Sequence, residues 1–420
     1  MGHGVQLRAE LRIAFSTDPA QKTPPNSKLN NKIRPQRPTV CSQNGPIGMA
    51  TANPPLRIAI VAASLRILGG QAVQAQRMID GWKGDSAVHA WLVPINPVPG
   101  RPFDTLLSIK FVRTLVTQLL YWPLLLREVR RADVVHVFSA SYSSFLLAPL
   151  PAVLVAKLLG RPVILNYHSG EAPDHLRRSA LARRVMRRWV DLNVVPSTFL
   201  REVLASFGIQ ARIVTNTVDL RRYAYRPREP LRARILSTRN FEPLYNVAAT
   251  LRAFARVQAR RPDATLTLVG AGSQEGALRS LATELELRNV TFAGRVAPDE
   301  IHRCYADADI YVQTPEIDNM PLSILEAFAS GLPVISTNVG SVPAMLTHGV
   351  HGLLAPANDD EAVAGHVITL LESPEYARRL ASDAAATCAS YEWPVARNGW
   401  LDAYRSVARQ PRLVAPALSA

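Results

Sequence analysis

The chain has 420 residues, 48% of them hydrophobic and 19% charged, which is too long for one typical core and too apolar to remain unfolded. Its three cysteines, Cys41, Cys304 and Cys388, are too few and too scattered for a disulfide framework or a metal cluster, a usage that fits a reducing cytosol. The net charge of +15 points to anionic partners, and charge alone does not choose between phosphorylated substrates, acidic lipid and nucleic acid.

Residues 1–53 are rich in Pro, Asn, Lys and Arg with little to bury, and read as a disordered basic extension without the apolar run of a secretory signal. Met49 leads directly into the first strand pattern and is the expected natural start. From residue 56 short β-branched runs alternate with helical stretches: "LRIAIVA", "VHAWLVPI", "DVVHVFS", "PVILNYH", "LNVVPS" and "ARIVTN" form one series within 54–220. A second, within 231–390, runs through "RARILSTRN", "ATLTLVGAG", "NVTFAGR", "DIYVQT", "GLPVIST" and "HGLLAPA". The polar, Pro-bearing stretch 219–230 is the joint between them. Such alternation implies α/β domains, each a doubly wound parallel sheet covered on both faces. Two of them facing one another form a deep cleft at the carboxyl ends of their strands, where ligands bind.

Along the chain, Gly69 and Gly70 of "LGGQ" sit in the first strand-to-helix turn. They either let backbone amides approach an anion or serve a turn that needs positive φ. The apolar run 111–131, interrupted by Pro123 and flanked by arginines, reads as a helix or broken helix packed on the sheet, or as one lying on a membrane surface. The arginine pairs 177/178, 183/184 and 187/188 read as a solvated basic face or as a site for lipid headgroups or an acceptor phosphate. His168 ends the apolar run "RPVILNYH" and belongs at the mouth of the cleft. "VGAGSQEG", carrying Gly270 and Gly272, resembles a dinucleotide turn but has Glu275 in place of the third glycine, so a tight turn is the simpler account. Asp307 and Asp309 fall between a helix end and a strand start, where Asp is a common turn residue rather than a metal ligand.

In "TPEIDNMPLSILEAFASGLPVIST", residues 314–337, Pro321 opens a helix that Gly331 stops, with Ser323, Glu326 and Ser330 on one narrow polar stripe. That stripe either faces solvent or lines a cleft.

Taken in order, residues 56–409 resemble a retaining glycosyltransferase of family 4, with the GT-B architecture of two Rossmann-like domains. The resemblance rests on "DNMPLSILEAFASGLPV", an acidic residue, seven residues, then Glu-Ala-x-Ala-x-Gly-x-Pro-Val. Supporting it are Gly69–Gly70, "YHSGEA", "NTVDL", "STRN", "LVGAGS", "FAGRV" and "VGSVPAML", and "YEWPVARNGWLDAYRSV" is similar to a terminal helix, about 393–409, that returns to the N-terminal domain.

The resemblance implies that Glu326 holds the ribose hydroxyls of a nucleotide diphosphate sugar and Asp318 the hydroxyls of its sugar. It implies Arg239 at the diphosphate, His168 lining the acceptor side, and the backbone of Asn319, Met320, Pro321 and Leu322 at a helix N-terminus adding to donor binding. No metal or further cofactor is implied, and the hexose would pass with retention to a glycan, lipid or small-molecule acceptor. Three departures stand out: Asp318 replaces the usual Glu, with Glu316 as an alternative; Tyr245 and Asn246 replace the diphosphate lysine; and Ala344 replaces an acidic residue. The competing expectations are a nucleotide-sugar-binding protein without turnover and an NAD-dependent oxidoreductase. Nucleic acid is not expected, because the basic residues lack interleaved aromatics.

Overall fold

The computed structural model describes residues 54–66, 69–97 and 110–408. The expectations placed on 1–53, on Met49, on Leu68 and on residue 409 lie outside the described residues. The first sheet contains β1 (Leu56–Ala62), β2 (Val88–Pro94), β3 (Val134–Ser139), β4 (Val163–Tyr167), β5 (Leu192–Val195) and β6 (Ala211–Ile213). Their order is β2-β1-β3-β4-β5-β6 and every neighbouring pair is parallel. The second contains β7 (Arg234–Thr238), β8 (Thr265–Val269), β9 (Val290–Gly294), β10 (Ile310–Val312), β11 (Val334–Thr337) and β12 (Leu353–Ala355), in the order β12-β11-β10-β7-β8-β9, again parallel.

Both faces of each sheet are covered, as the short β-branched strands require. Alternation along β1 sends Ala59 and Val61 to one face and Ile58 and Ile60 to the other, all fully buried. The first face packs against the helices Lys110–Arg131, Pro149–Leu158, Ala180–Arg188 and Thr198–Ser206. The second packs against the helix Gly70–Trp82 and the last helix, Trp393–Ala408. Trp393 meets Trp82 edge-on at 5.0 Å, Tyr404 Oη lies 2.8 Å from His136 Nδ1, and Arg397 pairs with Asp85 at 2.6 Å. The last helix therefore belongs to the core of the first sheet although the chain reaches it only after the second.

The helix over Lys110–Arg131 runs through Pro123 unbroken, with Tyr121, Leu125 and Val129 fully buried on the sheet. Its outer side leaves Leu115 and Leu119 well exposed, and among the described residues no helix is long and apolar enough to cross a membrane.

The order of each sheet reverses at one point, between β1 and β3 in the first and between β7 and β10 in the second. Loops leaving two strands on either side of such a reversal diverge and open a crevice. Arg239 follows β7 and Asp318 lies in the loop that follows β10, so the second crevice brings these two together.

Candidate active site

The helix Leu322–Ala329 is fixed by its apolar side chains. Ile324, Leu325 and Phe328 are fully buried and each contributes roughly 1.5–3 kcal/mol. Pro321 sits one position earlier than expected, as the extended residue before the helix, and Ser330 follows it at the other end. The polar stripe does not face solvent: Ser323, Glu326 and Ser330 are all buried. A carboxylate is buried only with partners, and Glu326 has two. Arg77 Nη2 donates to Oε1 at 2.9 Å and Tyr305 Oη to Oε2 at 3.0 Å. Arg77 comes from the helix Gly70–Trp82 of the other domain. Burial alone would lower its pKa; Glu326 and the Tyr223 hydroxyl beside it together outweigh that and raise it.

Asp318 is matched within its own domain. Arg239 Nη2 donates to its Oδ2 at 2.6 Å, and the Asn319 amide to its Oδ1 at 2.9 Å. Burial pushes the Asp318 carboxyl above its ordinary range against the opposing pull of Arg239. Arg239 also reaches Ser323 Oγ at 3.2 Å and lies 4.1 Å from the centre of the Tyr245 ring. Its Nε is buried without a partner. A polar layer including a hydroxyl chain lies between the two carboxylates: Tyr305 donates to Glu326 and meets Thr238 Oγ1 at 2.8 Å, while Tyr311 and Ser323 both donate to Gln313 Oε1 and Ser323 accepts from Arg239.

Gly270 and Gly272 support this arrangement through close approach. A Cβ at Gly270 would stand 2.1 Å from the Arg239 carbonyl oxygen, and one at Gly272 would stand 2.4 Å from that of Phe241. Only glycine lets the turn after β8 press on the loop that carries the arginine. Nothing comparable holds at Gly69 and Gly70: Gly69 is extended, the helix starts at Gly70, and a Cβ at either meets no described atom within 4 Å. The expectation of a positive-φ turn there is corrected, because the helix begins without one.

Asn319 and Met320 cross to the other domain. Ser197 Oγ donates to Asn319 Oδ1 at 2.6 Å, Asn319 Nδ2 donates to the His168 carbonyl at 3.3 Å, and Asn216 Nδ2 donates to the Met320 carbonyl at 3.1 Å. His168 itself lies beneath this seam, stacked on Phe138 at 5.2 Å. Burial lowers its pKa to about 4, so the ring is neutral, and Nε2 has no partner. With Asn166, whose Oδ1 is also unpartnered, it lines a cavity of about 10 Å³, the size of one water. A larger cavity of about 350 Å³ opens beside the Asp318 loop, lined by Tyr142, Glu171, Asp174, Phe199, Glu316 and Gly340 among others.

Asp309 is fully buried and meets Arg234 at 2.6 Å, with Arg226 and Arg228 also against it. It fastens the start of β10 to the interdomain joint. In the "VGAGS" turn the Ser273 amide donates to Glu242 Oε1 at 3.1 Å, which ties it to the same arginine loop. Sequence reasoning missed Arg77 and its neighbour Gln74. Gln74 carried a signal, as a polar residue buried among Ala72, Ala75, Met78 and Trp82; Arg77 lies round the helix from that stripe and carried none.

The family described as Glycosyl transferases group 1 matches residues 227–387, and Glycosyltransferase Family 4 matches residues 78–222. The two spans lie one after the other and together cover more than half of the chain. The chain belongs to the family 4, group 1 glycosyltransferases. Sulfoquinovosyl transferase of Arabidopsis thaliana is 26% identical over 299 residues, 65% of this chain but 57% of that protein's length. Glycogen synthase of Mycobacterium tuberculosis is 26% identical over 304 residues, 69% of this chain and 72% of that one. Among solved structures, Anabaena Alr3699/HepE in complex with UDP-glucose superposes with a TM-score of 0.67 at 20% identity, over 84% of this chain and all of that one. At that identity the likeness speaks for the GT-B fold.

Proposed function

We propose that this glycosyltransferase moves a hexose from a nucleotide diphosphate sugar to a hydroxyl-bearing acceptor with retention and without a metal. The observation that carries the proposal is the pair of buried carboxylates, Asp318 and Glu326, each held by an arginine at the interdomain seam. Breaking the bond between the anomeric carbon and the diphosphate leaves charge on the leaving group. The Arg239 guanidinium, with a buried Nε–H that lacks an acceptor, is the group placed to meet it. Glu326 would take the ribose hydroxyls and Asp318 a sugar hydroxyl, both as charge-assisted bonds. On this reading the leaving phosphate assists deprotonation of the acceptor, since neutral His168 is sealed beneath the Asn319 seam. The acceptor hydroxyl would enter through the 350 Å³ cavity beside Asp318, whose carboxylates and rings suit a hydroxylated ring. Whether that ring belongs to a glycan, a lipid-linked sugar or a small molecule is left to acceptor screening.

The test is thermal unfolding with UDP, GDP, ADP and NAD in turn, repeated on Glu326→Ala, followed by assay of nucleotide release from the matching sugar donor. Stabilisation of wild type alone by one nucleoside diphosphate supports the reading; stabilisation by NAD alone overturns it. One observation favours the alternative of a nucleotide-sugar-binding protein without turnover: Tyr245 stacks on Arg239 where a second cation is expected. Binding without nucleotide release would establish it.

We also propose a cytoplasmic location at an anionic membrane surface. On one face of the first sheet the helices Lys110–Arg131, Tyr142–Leu147 and Pro149–Leu158 expose Leu115, Leu119, Trp122, Leu147 and Leu158, and the helix Ala180–Arg188, packed on the same face, exposes Arg184, Arg187 and Arg188. Exposed apolar side chains and a basic helix on one face suit acidic headgroups over acyl chains. Sedimentation with phosphatidylglycerol vesicles and not with phosphatidylcholine vesicles is the expected result; equal sedimentation with neither overturns the proposal.

A further inference from the structure

Each oxygen of Glu326 already accepts one hydrogen bond, from Arg77 and from Tyr305, both about 3 Å away. A carboxylate offers about four acceptor sites, so about two remain unbonded, with the buried and unpartnered Tyr223 hydroxyl beside Glu326 and Arg77 as a competitor for one. Two free sites side by side match the two hydroxyls of a vicinal diol. The arginine that fixes this orientation is itself fixed. Arg77 Nη1 donates to the Thr217 carbonyl at 2.8 Å, and Gln74 brackets the same peptide, donating from Nε2 to that carbonyl at 2.7 Å and accepting from the Thr217 amide at 3.0 Å. Thr217 lies where the first domain hands over to the joint. A planar guanidinium that spans a backbone carbonyl and a carboxylate sets an angle that a point charge would not.

We infer that Arg77 is a positioning residue for ribose recognition: from the opposite domain it turns Glu326 so that its two free acceptor sites face the 2′- and 3′-hydroxyls of the donor nucleotide. This rests on the ribose role proposed above for Glu326. It also makes diol recognition depend on the two domains being closed on one another, because Arg77 and Glu326 belong to different domains.

The test compares, by calorimetry on the full chain, the nucleoside diphosphate from the UDP, GDP and ADP series that binds wild type with its 2′,3′-dideoxy analogue. Bonds to a charged group are strong enough that wild type should prefer the hydroxylated nucleotide by roughly tenfold to a hundredfold. Arg77→Gln should narrow this preference to about threefold or less while leaving affinity for the dideoxy analogue unchanged; Arg77→Lys, which keeps the charge and loses the fork, should fall between. A full preference in Arg77→Gln, or an equal weakening of both ligands, overturns the inference and leaves the ribose role of Glu326 standing. Should Arg77→Gln not fold, an undiminished preference in Arg77→Lys overturns it. Absence of any preference, or of any binding, in wild type instead overturns the ribose role itself, and this inference with it.

Discussion

The two carboxylate–arginine pairs at the seam differ in where their partners come from. Asp318 and Arg239 belong to one domain, on loops after β10 and β7 that flank the reversal of strand order. Glu326 and Arg77 belong to two, and meet only because the domains are closed. The first pair is preorganised by its own sheet, glycine turn and hydroxyl chain, and should survive any opening of the cleft. The second is a contact that closure makes. On the roles proposed above, a site built this way keeps its diphosphate end rigid and leaves its ribose end sensitive to domain position.

The largest effect should follow from breaking the rigid pair. Arg239→Ala leaves Asp318 buried without its cation, a change that typically costs about 3–5 kcal/mol, read from the urea midpoint. Adding Asp318→Asn should recover a good part of it, since the stranded charge is then gone. Nucleotide release should fall by roughly 10²–10³ in Arg239→Gln, because a preorganised cation is removed from the leaving group. Glu326→Ala should cost less, about 2 kcal/mol, because the Arg77 side chain is partly accessible and keeps its bond to Thr217. Loss of the closing contact should also show as looser coupling between the domains, with unfolding in two steps rather than one. A single unchanged transition in Glu326→Ala would mean that the cross-domain pair does not hold the domains together.

This contrast also separates what was legible in the sequence from what was not. The strand segments, their parallel direction and the pairing of two domains followed from β-branched runs alternating with helical stretches, signals that are local, whereas the order of strands within each sheet did not. Glu326 and Asp318 were singled out through a linear spacing and its family resemblance, and Arg239 through the resemblance alone. Arg77 was not, because an arginine off the buried stripe of a helix is ordinarily solvated, and only the approach of the second domain gives it a partner. His168 was rightly set at the end of β4, yet its ring turned inward, since the next residues of the loop place only its carbonyl at Asn319. The polar stripe was ambiguous for the same reason: periodicity gives a face but not what covers it.

Beneath the seam, His136 and His168 give a pH handle of intermediate size. Burial lowers His168 to about 4 and His136 to about 3, and a protonated His168 would oppose a second charge on His136. The unfolded chain takes up protons at these rings near pH 6.5 while the folded one does not. Stability is therefore full above that value and is lost as pH falls toward 4, by about 2 kcal/mol for each ring between pH 7 and pH 5. Urea midpoints across that range should show the fall, and His168→Asn should remove about half of its slope. A flat profile would mean that solvent reaches the rings.

The smallest change is the most informative about the rigid pair. Tyr245 occupies the position where the family resemblance calls for a lysine, and its ring covers Arg239. Tyr245→Lys forfeits a cation–π contact of about 0.5–1 kcal/mol and sets a second positive charge beside the first, so stability should drop by about 1 kcal/mol. A diphosphate would then gain a charge-assisted bond of roughly 1.5–3 kcal/mol, so nucleoside diphosphate affinity should rise about tenfold while affinity for the monophosphate stays level. If both rise equally, the gain is general attraction, and the diphosphate does not sit at Arg239. If the diphosphate alone gains and nucleotide release appears only in the variant, the native tyrosine is what suppresses turnover. If wild type already turns over and the variant turns over faster, the ring is a tolerated substitute, and Arg239 alone suffices to meet the leaving group.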